Sequence, residues 1–254
     1  IPTDFLSRYI PLWAKKNVYV KRLSGSFGSG KKKGKNKFRD TFLNSQISTL
    51  EWDAYVQRVV NDDEHSLEGR IQVLTSIRDF FENYGSFREM PLTERKRVAG
   101  LVTDDDIDWK WFGSMVGAGR FKNRVNENDE YLSLALDCIP SHGEVLRDNY
   151  VDFLELYMNA FKESGNYLGT ATRLLAMKRP DYFICLDGAN RDRFCKDFSI
   201  PKSLPSLENY WDEIIERIME CVWWNAPPPK AIEQLEIWKA RAAFLDALYY
   251  VPMK

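Results

Sequence analysis

Histidine and cysteine are scarce in this chain of 254 residues, and their scarcity excludes several kinds of site. Two histidines, His65 and His142, are too few for a His-rich metal centre and leave little room for histidine acid–base chemistry. The four cysteines form no CxxC pair, which argues against a disulfide scaffold or a zinc ribbon. We therefore expect a reducing compartment and neither a metal nor another cofactor.

Long apolar runs and an excess of one charge are also lacking. No apolar stretch approaches the roughly 18 residues of a membrane span, and the first residues lack the order of a signal peptide. Lys and Arg number 36 against 37 Asp and Glu, which excludes a globally basic DNA-coating protein but not a local basic face. Hydrophobic residues make up 44%, enough for a sizeable core. These features predict an intracellular protein, either cytoplasmic or nucleoid-associated.

Positive charge is concentrated in the first 39 residues, which carry eleven Lys or Arg and one acid, Asp4. Gly, Ser and Lys are dense between Ser24 and Lys37, a composition typical of a mobile loop. The stretch from Gly25 to Lys31 nearly spells a P-loop, but Lys32 stands where Ser or Thr would bind Mg²⁺. The segment is either a flexible cationic arm that touches a polyanion or a solvated linker. The lysines of such an arm are Lys31, Lys32, Lys33 and Lys35.

Helical periodicity dominates from Phe38 onward, and strand patterns are scarce. After an apolar stripe from Phe42 to Val60, helices are predicted over 66–84, 93–102, 107–115, 124–138, 150–161, 169–179, 207–224 and 230–249. The acidic run Asp104–Asp106 is interpreted as a helix cap rather than a metal site, because consecutive Asp side chains point in different directions on a helix. The sequence therefore predicts an all-α fold.

The segment 165–200 holds a carboxylate whose surroundings suggest a fixed position. A glycine-containing turn opens a helix that Pro180 ends, and the apolar run 183–186 then leads into Asp187. Another helix begins directly afterwards, so that Asp187 or Asn190 lies near its N-terminus. An Asp in this setting is held in place, either as an ordinary N-cap or as a functional carboxylate.

This segment resembles the helix-hairpin-helix (HhH-GPD) DNA glycosylase superfamily, which includes the adenine glycosylase MutY and endonuclease III. Members carry a hairpin that ends in a Thr-Ala-like pair, here Thr170-Ala171, and a catalytic Asp in a Leu-Asp-Gly context, here Leu186–Gly188. Weaker similarities occur at 44–49, 117–123, 142–145 and 240–250, in the same order along the chain as in the family. The resemblance therefore covers about 38–252.

The resemblance implies an all-α, two-lobed helix-hairpin-helix glycosylase-like fold with a basic, partly flexible N-terminal arm at 1–40. The helical domain would span 41–254. Its first lobe would comprise about 41–105 plus 205–254, and its second lobe would comprise about 106–204. Asp187 would lie in the cleft between the lobes.

The resemblance also implies roles for individual residues. Asp187 would be the catalytic group that stabilises positive charge on the sugar and activates water. The hairpin would bind a DNA phosphate through backbone N–H groups, and Gln46 would fill the gap left by a flipped base. The residues implied in DNA binding are Gly165, Asn166, Tyr167, Gly169, Thr170 and Gln46, together with the lysines of the arm.

A pocket for a flipped base combines aromatic stacking with a few hydrogen-bonding groups. The candidates in this sequence are Trp52, Trp109, Trp111 and Glu51. Aromatic residues at helical spacing are more often core residues than ligand contacts, so both interpretations of the three tryptophans stay open.

The chain also departs from the family's pattern, which makes it a divergent member. Tyr167 stands where the hairpin has its second glycine, a position at which a side chain is poorly tolerated in a left-handed backbone. Gly169 replaces the lysine of the lyase members, which implies a monofunctional enzyme that uses water as its nucleophile. The family's four-Cys iron–sulfur loop has no counterpart in the sequence.

The predicted function is a DNA N-glycosylase that flips out a damaged or modified base and hydrolyses its bond to the sugar. It would act on double-stranded DNA in base-excision repair or in defence against modified foreign DNA. The alternatives are a non-catalytic DNA-binding helix-hairpin-helix module, a helical protein-interaction domain and, last, a nucleotide-dependent protein.

Overall fold

The computed structural model describes residues 32–61, 66–101, 106–161 and 167–250, and every regular element within them is helical. The expected all-α fold is therefore confirmed. The chain divides into two units, Ile1–Asp40 and Thr41–Lys254. All the contacts described below lie within the second unit.

Most α-helices of the described residues are short, and a π-helical segment, Trp211–Ile215, joins two of them. In chain order they are α1 (Lys32–Leu43), α2 (Trp52–Val60), α3 (Leu67–Tyr84), α4 (Leu92–Val98), α5 (Gly119–Asn126), α6 (Glu130–Asp137), α7 (Arg147–Ala160), α8 (Leu168–Lys178), α9 (Arg191–Asp197), α10 (Leu207–Tyr210), α11 (Glu216–Glu220), α12 (Ile232–Lys239) and α13 (Leu245–Tyr249).

Local chemistry explains where several helices begin and end. The Ser66 side chain accepts a hydrogen bond from the Gly69 N–H at 3.0 Å and so caps α3, which ends at Gly85 with φ of 73°. The predicted single helix over 124–138 is wrong. Asn128 adopts a left-handed φ of 55°, and Asp129 then caps α6 by accepting from the Leu132 N–H at 3.0 Å.

Two other predicted helices also differ from the structure. Residues 107–115 form turns rather than a helix, because Phe112 (φ 66°) and Gly113 (φ 107°) both lie in the left-handed region. The predicted helix over 230–249 is divided into α12 and α13. Between them the Ala243 N–H donates to the carbonyl of Pro180 at 2.8 Å, a tertiary bond that replaces a helical one.

The core is rich in stacked aromatic rings, and these rings join the early helices of the second unit to the late ones. Tyr55 of α2 stacks on Trp223 with ring centroids 4.3 Å apart, and Phe42 stacks on Phe198 at 5.4 Å. The indole N–H of Trp223 donates to the carbonyl of Ile47 at 3.1 Å, which satisfies the polar atom of a fully buried ring.

None of the described helices combines the length and apolar character that a membrane crossing requires. In the described part of the chain, no group of three or more His, Cys, Asp or Glu side chains is arranged to hold a metal ion.

Candidate functional site

The start of α8 and the segment that leads into Asp187 lie side by side. The hydroxyl of Thr172 accepts the N–H of Leu186 at 3.0 Å and donates to the carbonyl of Leu168 at 2.7 Å, so it ties the segment to the first turn of the helix. A Cβ built on Gly169 would lie 3.6 Å from the Cβ of Asp187. Two positions that are 18 residues apart therefore face each other.

The segment 183–186 is a rigid support for this carboxylate, because all four of its side chains are fully buried. Tyr210 also fixes the backbone of this segment. Its hydroxyl accepts a hydrogen bond from the N–H of Ile184 at 3.1 Å and donates one to the carbonyl of the same residue at 2.6 Å. The sequence predicts that the apolar run holds Asp187 in place. Burial of its four side chains restricts the backbone that leads into Asp187.

Asp187 is itself partly withdrawn from solvent. Burial raises the pKa of its carboxyl group above the usual range, and the negative charge of Asp246 raises it further. Hydrogen bonds from the backbone oppose this effect, and the stronger one runs from the Ala189 N–H to Oδ1 at 2.7 Å. The result is a positioned carboxylate that takes up a proton more readily than an exposed Asp does.

Aromatic packing fixes the described start of α8. The ring of Tyr167 is buried and stacks on Phe161 with centroids 4.4 Å apart. Its φ of −108° lies outside the left-handed region, which explains how a non-glycine residue occupies this position. The hydroxyl of Thr170 contacts the hydroxyl of Tyr157 at 2.7 Å and donates to the carbonyl of Tyr167 at 3.1 Å.

The opposite wall of the site is the turn that contains Gly113. A Cβ added at this glycine would lie 2.7 Å from Cys185 Sγ and 3.0 Å from Met115 Cε, so no larger residue fits without displacement. The same Cβ would lie 3.6 Å from Asp187 Oδ2, which shows how closely this wall approaches the carboxylate.

Arg173 of α8 holds this wall in place and is completely buried. Its Nε donates to the carbonyl of Val98 at 3.1 Å and its Nη2 to that of Trp109 at 2.9 Å, while Nη1 donates to the carbonyl of Trp111. Burial lowers the pKa of the guanidinium to about 10, so it remains charged at neutral pH. Carbonyl dipoles thus solvate a cation behind the site.

These walls border a cavity of about 290 Å³ that is open to solvent on one side. Its lining is formed by Ser114, Met115, Leu168, Gly169, Thr170, Leu186, Asp187, Gly188 and Arg191. The cavity is near the lower end of the range for small-molecule sites, about 300 to 1,000 Å³. It brings together a carboxylate, a guanidinium, two hydroxyl groups and an apolar floor.

The residues suggested for a base pocket lie elsewhere, since none of them is among the lining residues. Trp52 donates its indole N–H to Gln234 at 2.8 Å, and Glu51 beside it is exposed. Trp109 is buried beneath the guanidinium of Arg97, whose Cζ lies 5.1 Å from the ring centroid. Trp111 is partly exposed and lies in the turn that leads to Gly113.

The residues suggested for DNA binding are only partly described. Gln46 is exposed in the turn that follows α1. Lys32, Lys33 and Lys35 belong to α1, but their side chains are not described. Gly165, Asn166 and Lys31 lie outside the described residues.

Several residues of the site have no signal in the sequence. Ser114 and Met115 fall in a stretch whose periodicity predicts a helix, and Arg191 follows the Asp in a manner typical of any helix start. Arg173 lies on α8, in which every residue except Gly169 is buried, and an arginine there is unusual because charged side chains are rarely fully buried. Of these residues, Arg173 is the one that the sequence could have indicated, as an arginine among apolar residues.

Comparison of the chain with models of protein families, with curated proteins and with solved structures finds no significant match.

Proposed function

We propose that this protein is a monofunctional DNA N-glycosylase that acts on a flipped, damaged or modified base, and that Asp187 is its catalytic carboxylate. The observation that carries the proposal is the close approach of Asp187 to Gly169, since both residues line the cavity. In the family that the sequence resembles, these two positions carry the catalytic Asp and the lysine of the lyase members. Contact between them is what the resemblance requires.

The chemistry of base hydrolysis accounts for the groups in the cavity. The bond between sugar C1′ and the base nitrogen breaks, its electron pair leaves with the base, and positive charge develops on the sugar. The ionised carboxylate of Asp187 stabilises that charge. It then takes a proton from the water whose oxygen bonds to C1′, and a pKa above the usual range for Asp suits it to that role.

The size and composition of the cavity support a single flipped base as the ligand. Extrusion of a base costs a few kcal/mol and needs a cavity that receives it. Ser114 and Arg191 offer hydrogen-bond donors, while Met115 offers an apolar, polarisable surface. Because Gly169 has no side chain, water rather than an amine is the nucleophile. Repair of damaged DNA and defence against modified foreign DNA both agree with this chemistry.

Release of free bases tests the proposal directly. We expect the protein, incubated with ordinary and naturally base-modified genomic DNA, to liberate a base that mass spectrometry identifies. Asp187→Asn should reduce the rate at least about a thousandfold, because the amide neither stabilises the sugar cation nor accepts a proton. DNA binding should persist, since the substitution changes no cationic group.

The matched control is Asp79→Asn, which removes an exposed carboxylate of α3 and should leave base release unchanged. Salt-sensitive DNA binding without any base release would instead identify a non-catalytic DNA-binding module. Neither binding nor release would favour a helical protein-interaction domain.

A further inference from the structure

The turn that carries Asp187 is held from behind by the amide side chain of Asn190, which is fully buried. Its Oδ1 accepts the N–H of Asp187 at 3.0 Å, and its Nδ2 donates to the carbonyl of Cys185 at 2.8 Å. In the reverse orientation the amide oxygen would face the two oxygens of Cys185 and Asp246, and the amide NH₂ would face the N–H of Asp187, so the hydrogen bonds define the orientation. One side chain therefore fixes the backbone on both sides of the carboxylate.

The same amide joins a buried ion pair. Asn190 Nδ2 also donates to Asp246 Oδ1 at 2.6 Å, and Asp246 Oδ2 lies 3.0 Å from Nη1 of Arg70. The side chains of Asp246 and Arg70 are 3% and 2% exposed. A buried pair of this kind rarely adds net stability over apolar residues of similar size, which points to a role other than stability.

Arg70 also reaches the opposite wall of the cavity. Its guanidinium carbon lies 5.0 Å from the ring centroid of Trp111 and 4.9 Å from that of Phe112, the two residues before Gly113. A single buried chain of groups from α3, α13 and the start of α9 therefore contacts both the turn of Asp187 and the wall that faces it.

Building on the function proposed above, we propose that Asn190, Asp246 and Arg70 are positioning residues. They hold the Asp187 carboxylate toward the cavity and set how readily it ionises. Asn190 fixes the geometry, and the charge balance between Asp246 and Arg70 controls the ionisation.

The charges around Asp187 determine the direction of the effect. Burial raises the pKa of this carboxyl group, and the carboxylate of Asp246 on α13 raises it further. Arg191 of α9 lines the cavity with it, and the buried thiol of Cys185 lies on its own segment. Among the lining residues, the start of α8 and the wall 113–115 contribute no charged side chain. Arg70 is the ion-pair partner of Asp246, and the buried Arg173 of α8 is a second cation that interacts with the same carboxylate.

Titration of Asp187 in the full chain measures this coupling without any DNA. The carboxyl carbons of aspartate are labelled with ¹³C, their shifts are followed with pH, and Asp187→Asn assigns the signal. Arg70→Met removes the ion-pair partner of Asp246, so the midpoint of Asp187 should rise by about half a pH unit or more. The acidic limb of the base-release rate should move in the same direction, while DNA affinity stays within about twofold.

Two further variants separate charge from packing. Arg70→Lys keeps the cation and should leave the midpoint near that of the unaltered protein. Asp246→Asn removes the anion and should lower the midpoint, so it tests the coupling in the opposite direction if Arg70→Met does not fold. A purely structural role would reduce activity in all three variants without moving the midpoint.

The outcomes distinguish this inference from the proposed function. An unmoved midpoint in both Arg70→Met and Asp246→Asn would overturn the coupling, even in a protein that releases bases. Failure of the unaltered protein to release any base, with the midpoints moving as expected, would overturn the glycosylase proposal and leave the electrostatic link intact.

Discussion

Asp187 occupies an environment that disfavours its own charge. Its carboxyl group is partly buried beside a second carboxylate, and backbone N–H groups compensate only in part. Its neighbours are held rigidly: Asn190 is fully buried, and so are the side chains of the apolar run that precedes it. Unfavourable charge kept in a rigid setting is typical of a functional group, because an ordinary helix cap would be better solvated.

This environment predicts how Asp187 affects stability. Because its pKa is raised on folding, the folded state holds the proton more strongly than the unfolded state. The resulting stability is present at low pH and is lost as pH rises through the folded pKa. At neutral pH the ionised carboxylate therefore destabilises the fold. We expect Asp187→Asn, whose amide oxygen still accepts from Ala189, to be more stable than the unaltered protein at pH 7.

Urea unfolding between pH 7 and pH 4.5 measures the difference, which should shrink as the pH falls. Asp79→Asn on the surface of α3 provides the baseline. A loss of stability at pH 7 in Asp187→Asn alone would mean that the carboxylate is a structural cap.

At the scale of elements, α8 organises the site through its first turn and its centre. Its first turn forms one wall, Thr172 binds the segment that leads to Asp187, and Arg173 binds the turns that form the other wall. Most of these partners are distant in sequence; Arg173 and Trp111, for example, are 62 residues apart.

That distance explains which parts of the site the sequence predicts. The helix from Leu168 and the buried run 183–186 both follow from local apolar patterns, and the structure agrees with them. The turn around Gly113 does not, because its apolar spacing also fits a helix. Its left-handed residues are stabilised by Arg173 and by packing against Cys185, and such tertiary contacts leave no local pattern.

Removal of the Arg173 side chain should therefore destabilise the fold strongly. Arg173→Met leaves the carbonyls of Val98, Trp109 and Trp111 without their donor, and each buried unsatisfied group costs about 1–3 kcal/mol. We expect the free energy of unfolding to fall by about 3 kcal/mol or more, as measured by urea denaturation.

Arg193→Met is the matched control, because Arg193 is exposed on α9 and its replacement should change stability by no more than about 0.5 kcal/mol. Equal stabilities of the two variants would mean that water or other donors satisfy the three carbonyl groups.

At the scale of the whole molecule, the near-neutral net charge conceals a strong separation. The first 39 residues hold eleven of the 36 Lys and Arg and one of the 37 Asp and Glu, so the rest of the chain is markedly acidic. An acidic body repels the phosphates of DNA. A protein that acts on DNA with this composition needs its basic segment for affinity, even though the described lining residues of the candidate cavity belong to the second unit.

The salt dependence of DNA binding tests whether the basic segment provides the affinity for DNA. Replacement of Lys31, Lys32, Lys33 and Lys35 by Gln in the full chain removes four cations. The slope of log affinity against log salt concentration should become shallower by up to about 3.6, about 0.9 for each lysine that neutralises a phosphate. The rate of base release from bound DNA should not change, because Asp187 and the other groups known to line the cavity are left intact.

The comparison is a chain in which three exposed lysines of the second unit, Lys110, Lys202 and Lys230, are replaced by Gln. If the arm binds DNA, the slope changes far less in this second variant. Equal slopes in the two variants and in the unaltered protein would mean that the basic segment is a solvated linker, and that DNA contacts must be sought on the helical unit itself.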